Sequence, residues 1–134
     1  QCDWSSDVCS SDLQLLINCG HPLSGEAAVQ LANAIGEFET VTVRVQLDVQ
    51  EPLAEQVTNA ITAAGVSSED WQTRGVVVAL PGMSAAAALV VAEVHGRTGS
   101  FPRVVHLVRG EDGIFHLGEV IDLMTIRGAA RLTR

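Results

Sequence analysis

Residues 76–95, which read VVVALPGMSAAAALVVAEVH, decide the fold. Their first five residues form a continuous apolar run, which is typical of a parallel strand buried on both faces. Pro81-Gly82 then turns the chain. We expect Ser84 to cap a strongly apolar helix that covers residues 85–95 and stops at Gly96. A buried strand that leads through a tight turn into a helix is the repeating unit of α/β folds.

The same unit occurs upstream of this stretch. Residues 15–18 predict a short buried strand, the turn 19–22 follows it, and Ser24 is placed to cap a helix. Apolar residues alternate with polar ones over 41–49, which predicts a strand with one exposed face. The segment 52–65 begins with proline, ends with glycine and predicts a second helix. Strands therefore alternate with helices, which implies parallel pairing.

The downstream half completes the domain. Residues 67–71 predict a short helical turn, and 104–108 predict a strand. A hairpin turn at 110–113 leads into a strand over 114–120, and a last helix is expected over 121–132. The order of elements is β-α-β-α-β-α-β-β-α. It predicts a small, doubly wound, Rossmann-like α/β domain of three layers, with a mostly parallel sheet and an antiparallel C-terminal hairpin.

The N-terminal segment does not fit this pattern. Residues 3–13 read DWSSDVCSSDL and resemble a sequencing adapter translated in one frame. They have no hydrophobic period and none of the marks of a signal peptide. We expect residues 1–13 to be a non-native scar, the native N-terminus to be missing, and residues 14–134 to form one domain. Cys19 is the one cysteine outside the first ten residues, and no apolar run reaches the ~18 residues of a membrane span, so we expect a cytoplasmic protein without membrane partners.

Composition excludes several classes of function. All eight basic residues are arginine, and the net charge is −8. Phosphate-binding loops of the P-loop type, Schiff-base enzymes and pyridoxal enzymes need a lysine, so these are excluded. Such an acidic chain is a poor ligand for duplex DNA, whose affinity comes from many phosphate contacts. A small anion held by a few local donors remains compatible with the composition.

Two loops qualify as a binding site. In open parallel sheets, ligands bind beyond the carboxyl ends of the strands, at the switch point. Residues 18–24 and 80–84 follow predicted strands there, and each leads into a helix N-terminus that attracts anions. Both segments would serve equally well as simple tight turns, and neither contains a dinucleotide fingerprint. The candidate ligand-binding residues are Asn18, Gly20, His21, Ser24, Pro81, Gly82, Met83 and Ser84.

Few side chains in these loops carry chemistry. His21 is the only titratable group that we expect beside them, and it is the candidate catalytic residue. Cys19 lacks the arginine six positions later that thiol phosphatases need, so we expect a small buried residue. The segment 95–103 is a further candidate for a functional site, but we favour a structural role in which His95 and Arg97 satisfy carbonyl groups at a helix C-terminus. We expect His106 and His116 to face solvent, and neither a metal site nor a cofactor is predicted.

Several stretches together resemble the Csx-fifteen family of CRISPR-associated proteins. The resemblance covers nearly all of residues 15–134, and its specificity lies in the order and spacing of short motifs. These motifs are LLIN at 15–18 with GHPL at 20–23, DWQT at 70–73, LPG at 80–82 before an alanine-rich helix, HGR at 95–97 with Gly99 and Phe101-Pro102, and Glu119 with Arg127 and Ala130-Arg131.

The resemblance implies an ancillary role in type III CRISPR defence. Members of this family are similar to the CRISPR-associated Rossmann-fold (CARF) sensors. They are grouped with proteins that bind cyclic oligoadenylate messengers and damp the signal. The implied ligand is cyclic tetra-adenylate, held by a homodimer that could assemble further. The implied mechanism is sequestration or metal-independent ring cleavage.

Two other classes of function stay open. The chain could be a small hydrolase or transferase that uses His21 or Cys19 on a different nucleotide. It could also be a structural interaction domain whose loops bind nothing. Because the sequence offers no obvious catalytic pair beside the loops, binding is favoured over catalysis.

Overall fold

The computed structural model describes residues 13–134. In this part of the chain, five helices accompany a single five-stranded sheet. The strands are β1 (Gln14–Asn18), β2 (Phe38–Thr42), β3 (Val76–Ala79), β4 (Arg103–Arg109) and β5 (Phe115–Asp122). The helices are α1 (Gly25–Ile35), α2 (Leu53–Ala63), α3 (Ser68–Thr73), α4 (Ser84–Thr98) and α5 (Leu123–Arg131).

The sheet has the strand order β2-β1-β3-β4-β5. The first four strands are parallel, and β5 pairs with β4 in the antiparallel direction. Since β2 and β3 lie on opposite sides of β1, the chain reverses its direction of travel across the sheet after β2. The switch point therefore lies between β1 and β3, as a doubly wound fold requires. The predicted α/β class and its antiparallel hairpin are confirmed.

Two hydrophobic clusters cover the two faces of the sheet. Successive side chains of a strand point to opposite faces, so neighbouring residues of β1 enter different clusters. Leu16 packs with Leu31 of α1 on one face. Leu15 and Ile17 pack on the other face with side chains of α2, α3 and α4, among them Trp71. Helices on both faces of one sheet form the predicted three layers, with β1 and β3 most deeply buried.

The predicted strand over 41–49 is much shorter than expected. Strand β2 ends at Thr42 because its partner β1 ends at Asn18. Beyond this pair, the one remaining backbone hydrogen bond between them runs from the Val43 N–H to the Asn18 carbonyl. Residues 43–48 have no regular secondary structure. Val43 is nevertheless buried, and Val45 packs on the cluster beneath it. The alternation predicted the burial of residues 41–47 correctly, whereas Val49 is 63% exposed, and it could not show where pairing stops.

Helix α4 (Ser84–Thr98) begins one residue earlier and ends three residues later than the predicted helix over 85–95. Its N-cap is Met83, and no side chain caps this end, so the predicted cap by Ser84 is wrong. The helix also continues through Gly96, which is therefore not its stop. Gly99 ends it with a left-handed φ of 89°, and its N–H donates to the His95 carbonyl at 2.8 Å. A glycine interior to a helix weakens it without breaking it, because no steric conflict arises.

Other predicted boundaries agree or shift by a few residues. Ser24 caps α1 as predicted, since its hydroxyl accepts the Ala27 N–H at 3.1 Å. Strand β5 extends to Asp122, whose carboxylate accepts the Met124 N–H at 3.0 Å and starts α5 there. The predicted last helix over 121–132 therefore starts two residues too early and ends one residue too late. Among residues 13–134, none of the helices has the length and apolar character needed to span a membrane.

Candidate functional site

A cleft of about 950 Å³ lies at the carboxyl ends of the parallel strands. We call it the switch-point cleft, because it opens where the chain reverses direction between β1 and β3. Its walls come from residues 18–24, 42–47, 79–83 and 105–107, with further contributions from Ala86 and Phe115. Its volume lies at the upper end of the roughly 300–1,000 Å³ that is common for small-molecule sites.

The cleft brings the two predicted loops together. Seven of the eight predicted ligand-binding residues line it: Asn18, Gly20, His21, Ser24, Pro81, Gly82 and Met83. Ser84 is the exception, because it lies at the exposed start of α4 and outside the lining. Sequence reasoning therefore located both loops of the site, although not every side chain in them faces the cleft.

Asn18 organises the first loop from within. Its side chain is 4% exposed, and its Oδ1 accepts the Gly20 N–H at 3.0 Å. Its Nδ2 donates to the His21 carbonyl at 3.1 Å. A buried amide needs such partners, since an unpaired one costs about 1–3 kcal/mol. Asn18 therefore shapes the loop, and the loop leaves the His21 side chain exposed at the cleft.

The two loops approach each other backbone to backbone. The Cys19 N–H donates to the Ala79 carbonyl at 2.9 Å, which extends the β1–β3 pairing into the loops. A Cβ atom on Gly20 would lie 3.1 Å from the Leu80 carbonyl oxygen, closer than ordinary contacts allow. Glycine at this position therefore permits the close approach that forms the floor of the cleft.

Ser24 links α1 to the C-terminal hairpin. Its hydroxyl accepts the Ala27 N–H and donates to the Phe115 carbonyl at 3.0 Å. A second contact in the same region joins the Leu117 N–H to Oε1 of Gln30 at 2.8 Å. These bonds hold the start of β5 against α1, so the hairpin forms a defined wall of the cleft.

Helix α4 presents its N-terminus to the same cleft. Met83 and Ala86 line the cleft, and no side chain caps the first turn between them. Free N–H groups and the positive end of the helix dipole favour an anion at such a position. This end of α4 thus adds to the electrostatic character of the cleft.

Arg44 and His106 are lining residues that sequence reasoning missed as part of the site. Arg44 lies in the segment after β2, and His106 lies on β4; both are exposed. The signal for Arg44 was present in the alternation of 41–49, which places it opposite the buried Val43 and the partly buried Val45. This alternation was not sufficient to place Arg44 in the site, because the order of strands in the sheet brings its segment next to the loop after β1.

The charge of the cleft differs from that of the whole chain. The chain has 16 acidic residues and a net charge of −8. Within residues 13–134, no aspartate or glutamate lines the cleft, whereas Arg44, His21 and His106 do. Coulomb repulsion from local carboxylates is therefore reduced, and cationic or neutral donors face the space. The arrangement suits a small anion.

Cys19 is not arranged for nucleophilic chemistry. It is buried, and burial raises the pKa of its thiol to about 11. The thiolate is the reactive form, so the group is protonated and inert near neutral pH. The prediction of a small buried residue is confirmed, and the site offers no support for a thiol-dependent hydrolase.

Two groups predicted at the C-terminus of α4 lie at the opposite end of the sheet. Arg97 donates to Glu93 at 3.1 Å and to the Thr62 hydroxyl of α2 at 2.9 Å. The His95 ring packs against Phe101 with centroids 4.4 Å apart. Both residues lie in the last turn of α4, but their side chains make these contacts instead of the expected ones with terminal carbonyls, so that expectation is wrong. Arg97 instead connects two packed helices.

His116 also departs from its predicted orientation. It is partly buried, with Nδ1 3.2 Å from Glu26 and Nε2 3.4 Å from Asp112. The Ile114 N–H donates to the Asp112 carboxylate and is the main cause of its lowered pKa. The contact with His116 lowers the pKa of Asp112 further. These three residues are potential metal ligands. However, the carboxylates face different ring nitrogens, so an ion on one nitrogen would displace one of the two contacts.

The chain matches no protein-family model, no curated protein and no solved structure. The fold and the site therefore define its class by themselves. Residues 13–134 form a small Rossmann-like α/β domain, and none of their aspartates or glutamates lines the cleft at its topological switch point.

Proposed function

We propose that the protein binds a cyclic oligoadenylate in the switch-point cleft and thereby damps a type III CRISPR signal. The observation that carries this proposal is the absence of acidic residues among the cleft-lining positions of residues 13–134, in a strongly acidic chain. Phosphodiesters are anions, and Arg44 with His21 and His106 supplies donors for them. The resemblance to the Csx-fifteen family supports the choice of a cyclic oligoadenylate, and the proposed site of action is the cytoplasm.

The proposed binding unit is a homodimer. Cyclic tetra-adenylate has one phosphate per nucleotide and an approximate two-fold axis. A two-fold dimer presents the same surface twice, so two facing clefts would each contact half of the ring. The cleft is open and has a volume of about 950 Å³, which supports this arrangement. The cyclic tetra-adenylate ring would be covered by one cleft on one side and by the second subunit's cleft on the other.

Sequestration is the simpler of the two proposed mechanisms. It requires donors for the phosphates, which Arg44 and the α4 N-terminus offer. Cleavage would additionally require alignment of a ribose 2′-OH with its neighbouring phosphate, and His21 would transfer the proton. The chemistry of Cys19, Asn18 and Ser24 adds no further proton donor, because these groups are buried or already hydrogen-bonded.

The test is retention of labelled cyclic tetra-adenylate in a gel shift, with ATP and linear tetra-adenylate as controls. We expect only the ring to be retained, and we expect isothermal titration to give one ring per two chains. Chromatography of the recovered ligand, with a chelator present, separates intact from cleaved rings. Equal retention of linear and cyclic ligands would contradict ring recognition, and one ring per monomer would contradict the dimer.

A further inference from the structure

We propose that Phe115 is a stacking surface for a nucleotide base in the switch-point cleft. The inference rests on the proposed function for the ring form of the ligand. The stacking contact itself can be tested apart from the ring form of the ligand. In this contact a nucleotide base lies against the Phe115 side chain, while its phosphate meets the donors of the opposite walls.

Phe115 is unusual among the aromatic side chains of residues 13–134. Trp71 is buried, Phe38 packs on the core, and Phe101 packs on His95. Phe115 alone is exposed, at 42%, and it lines the cleft. An exposed aromatic ring forgoes its own burial energy, which a stacked ligand would recover. In a chain with 4% aromatic residues, the position of this ring at the cleft points to a ligand with a π-face.

The ring is held in place before any ligand arrives. Its backbone carbonyl accepts the Ser24 hydroxyl at 3.0 Å, and Phe115 pairs with Arg109 across the hairpin. The Arg109 guanidinium carbon lies 5.3 Å from the ring centroid, within the range of a cation–π contact. A pre-positioned ring loses little freedom on binding, so more of the stacking energy appears as affinity.

The other walls of the cleft complement this surface. Arg44, His21 and the α4 N-terminus suit a phosphate, whereas Phe115 suits a base. A nucleotide contains both groups on one ribose. Stacking on an aromatic side chain tolerates every base, so this contact selects nucleotides as a class.

The experiment is a thermodynamic cycle on the full chain. Affinities for AMP and for ribose 5-phosphate are measured with the wild type and with Phe115→Ala, so that base and ring are removed in turn. We expect Phe115→Ala to weaken AMP binding by roughly 5- to 150-fold, which corresponds to loss of one stacked base. Ribose 5-phosphate binding should change less than two-fold. Phe115→Trp should retain AMP binding, because it keeps a π-face.

Ile114→Ala is the matched control, since Ile114 is adjacent and 45% exposed but does not line the cleft. We expect it to leave both affinities unchanged. Should Phe115→Ala fail to fold, Phe115→Leu replaces it, because leucine keeps apolar bulk without a π-face. Equal losses for AMP and ribose 5-phosphate, or no AMP binding by the wild type, would overturn the inference. A base-dependent effect of Phe115 without retention of cyclic tetra-adenylate would support this surface and overturn the ring assignment instead.

Discussion

Ser24 and Ser84 occupy equivalent places in the sequence, each just before or at the start of an apolar helix that follows a strand. Their hydroxyls differ in the structure. Ser24 accepts one hydrogen bond from α1 and donates another to the Phe115 carbonyl, whereas no side-chain bond caps α4 at Ser84. The residue type alone predicts a cap at both positions. The local backbone decides which serine forms one.

At the residue scale, we predict unequal effects of two serine-to-alanine changes. Ser24→Ala should lower the free energy of unfolding by roughly 1–2 kcal/mol, because it removes a cap and a bond between α1 and β5. Ser84→Ala should change it by less than about 0.5 kcal/mol, as exposed substitutions commonly do. Urea denaturation of the two variants measures both values. A loss at Ser84 as large as that at Ser24 would contradict the assignment of the α4 N-cap.

At the scale of elements, the later end of α4 gives two of its glycines different structural roles. Gly96 lies inside the helix, whereas Gly99 adopts the left-handed conformation that ends it. A Cβ atom would meet nothing within 4 Å at either position, so backbone conformation alone distinguishes them. Helical residues favour alanine over glycine, and left-handed residues favour glycine.

We therefore predict opposite signs for the two glycine-to-alanine changes. Gly96→Ala should raise the free energy of unfolding by about 0.5–1 kcal/mol, through helix propensity and a less flexible unfolded chain. Gly99→Ala should lower it by about 1–2 kcal/mol, because alanine resists a positive φ. Thermal and chemical denaturation under one set of conditions gives both signs. Stabilisation by Gly99→Ala would show that α4 ends elsewhere.

At the scale of the whole molecule, the sheet separates two groups of basic side chains. Arg44 and His21 lie at the carboxyl ends of the strands, in the acid-free cleft. Arg97 lies towards the other end, where it bonds Glu93 and Thr62 and joins α4 to α2. We therefore expect the proposed ligand binding and the packing of α4 on α2 to depend on different arginines.

We predict that substitutions at the two ends of the sheet separate affinity from stability. Arg44→Ala should weaken cyclic tetra-adenylate binding about 10-fold or more and leave stability unchanged, because it removes a charge-assisted bond from an exposed side chain. His21→Ala should act in the same direction, by roughly 5- to 30-fold. Arg97→Ala should lower stability by about 0.5–1 kcal/mol with affinity unchanged.

Titration calorimetry and urea denaturation of the same three variants provide the measurements. If Arg97→Ala abolished binding in a protein of normal stability, the binding site would lie at the end of the sheet opposite to the switch-point cleft. If Arg44→Ala had no effect on affinity, the acid-free cleft would not be the anion site.

Several parts of this protein depend on local chemistry and can be predicted from the order of its residues. The buried strands at 15–18 and 76–79, the cap at Ser24 and the hairpin turn at 110–113 follow from hydrophobic runs, polar caps and turn residues. These signals act over a few residues, so they can be recognised without a structure. They also located the loops 18–24 and 80–84, because the carboxyl ends of parallel strands define the binding edge.

Which further residues meet at that edge depends on the arrangement of the strands and helices in space. Strand β2 stops at Thr42 because its neighbour β1 is short, and this releases Arg44 into the cleft. His106 and Phe115 reach the same space because the hairpin lies beyond β3 and is bonded to α1 through Ser24. Such contacts depend on strand order and on the lengths of neighbouring elements, which are non-local properties. The residue pattern of one strand contains no information about the length of the neighbouring strand, which determines where pairing stops.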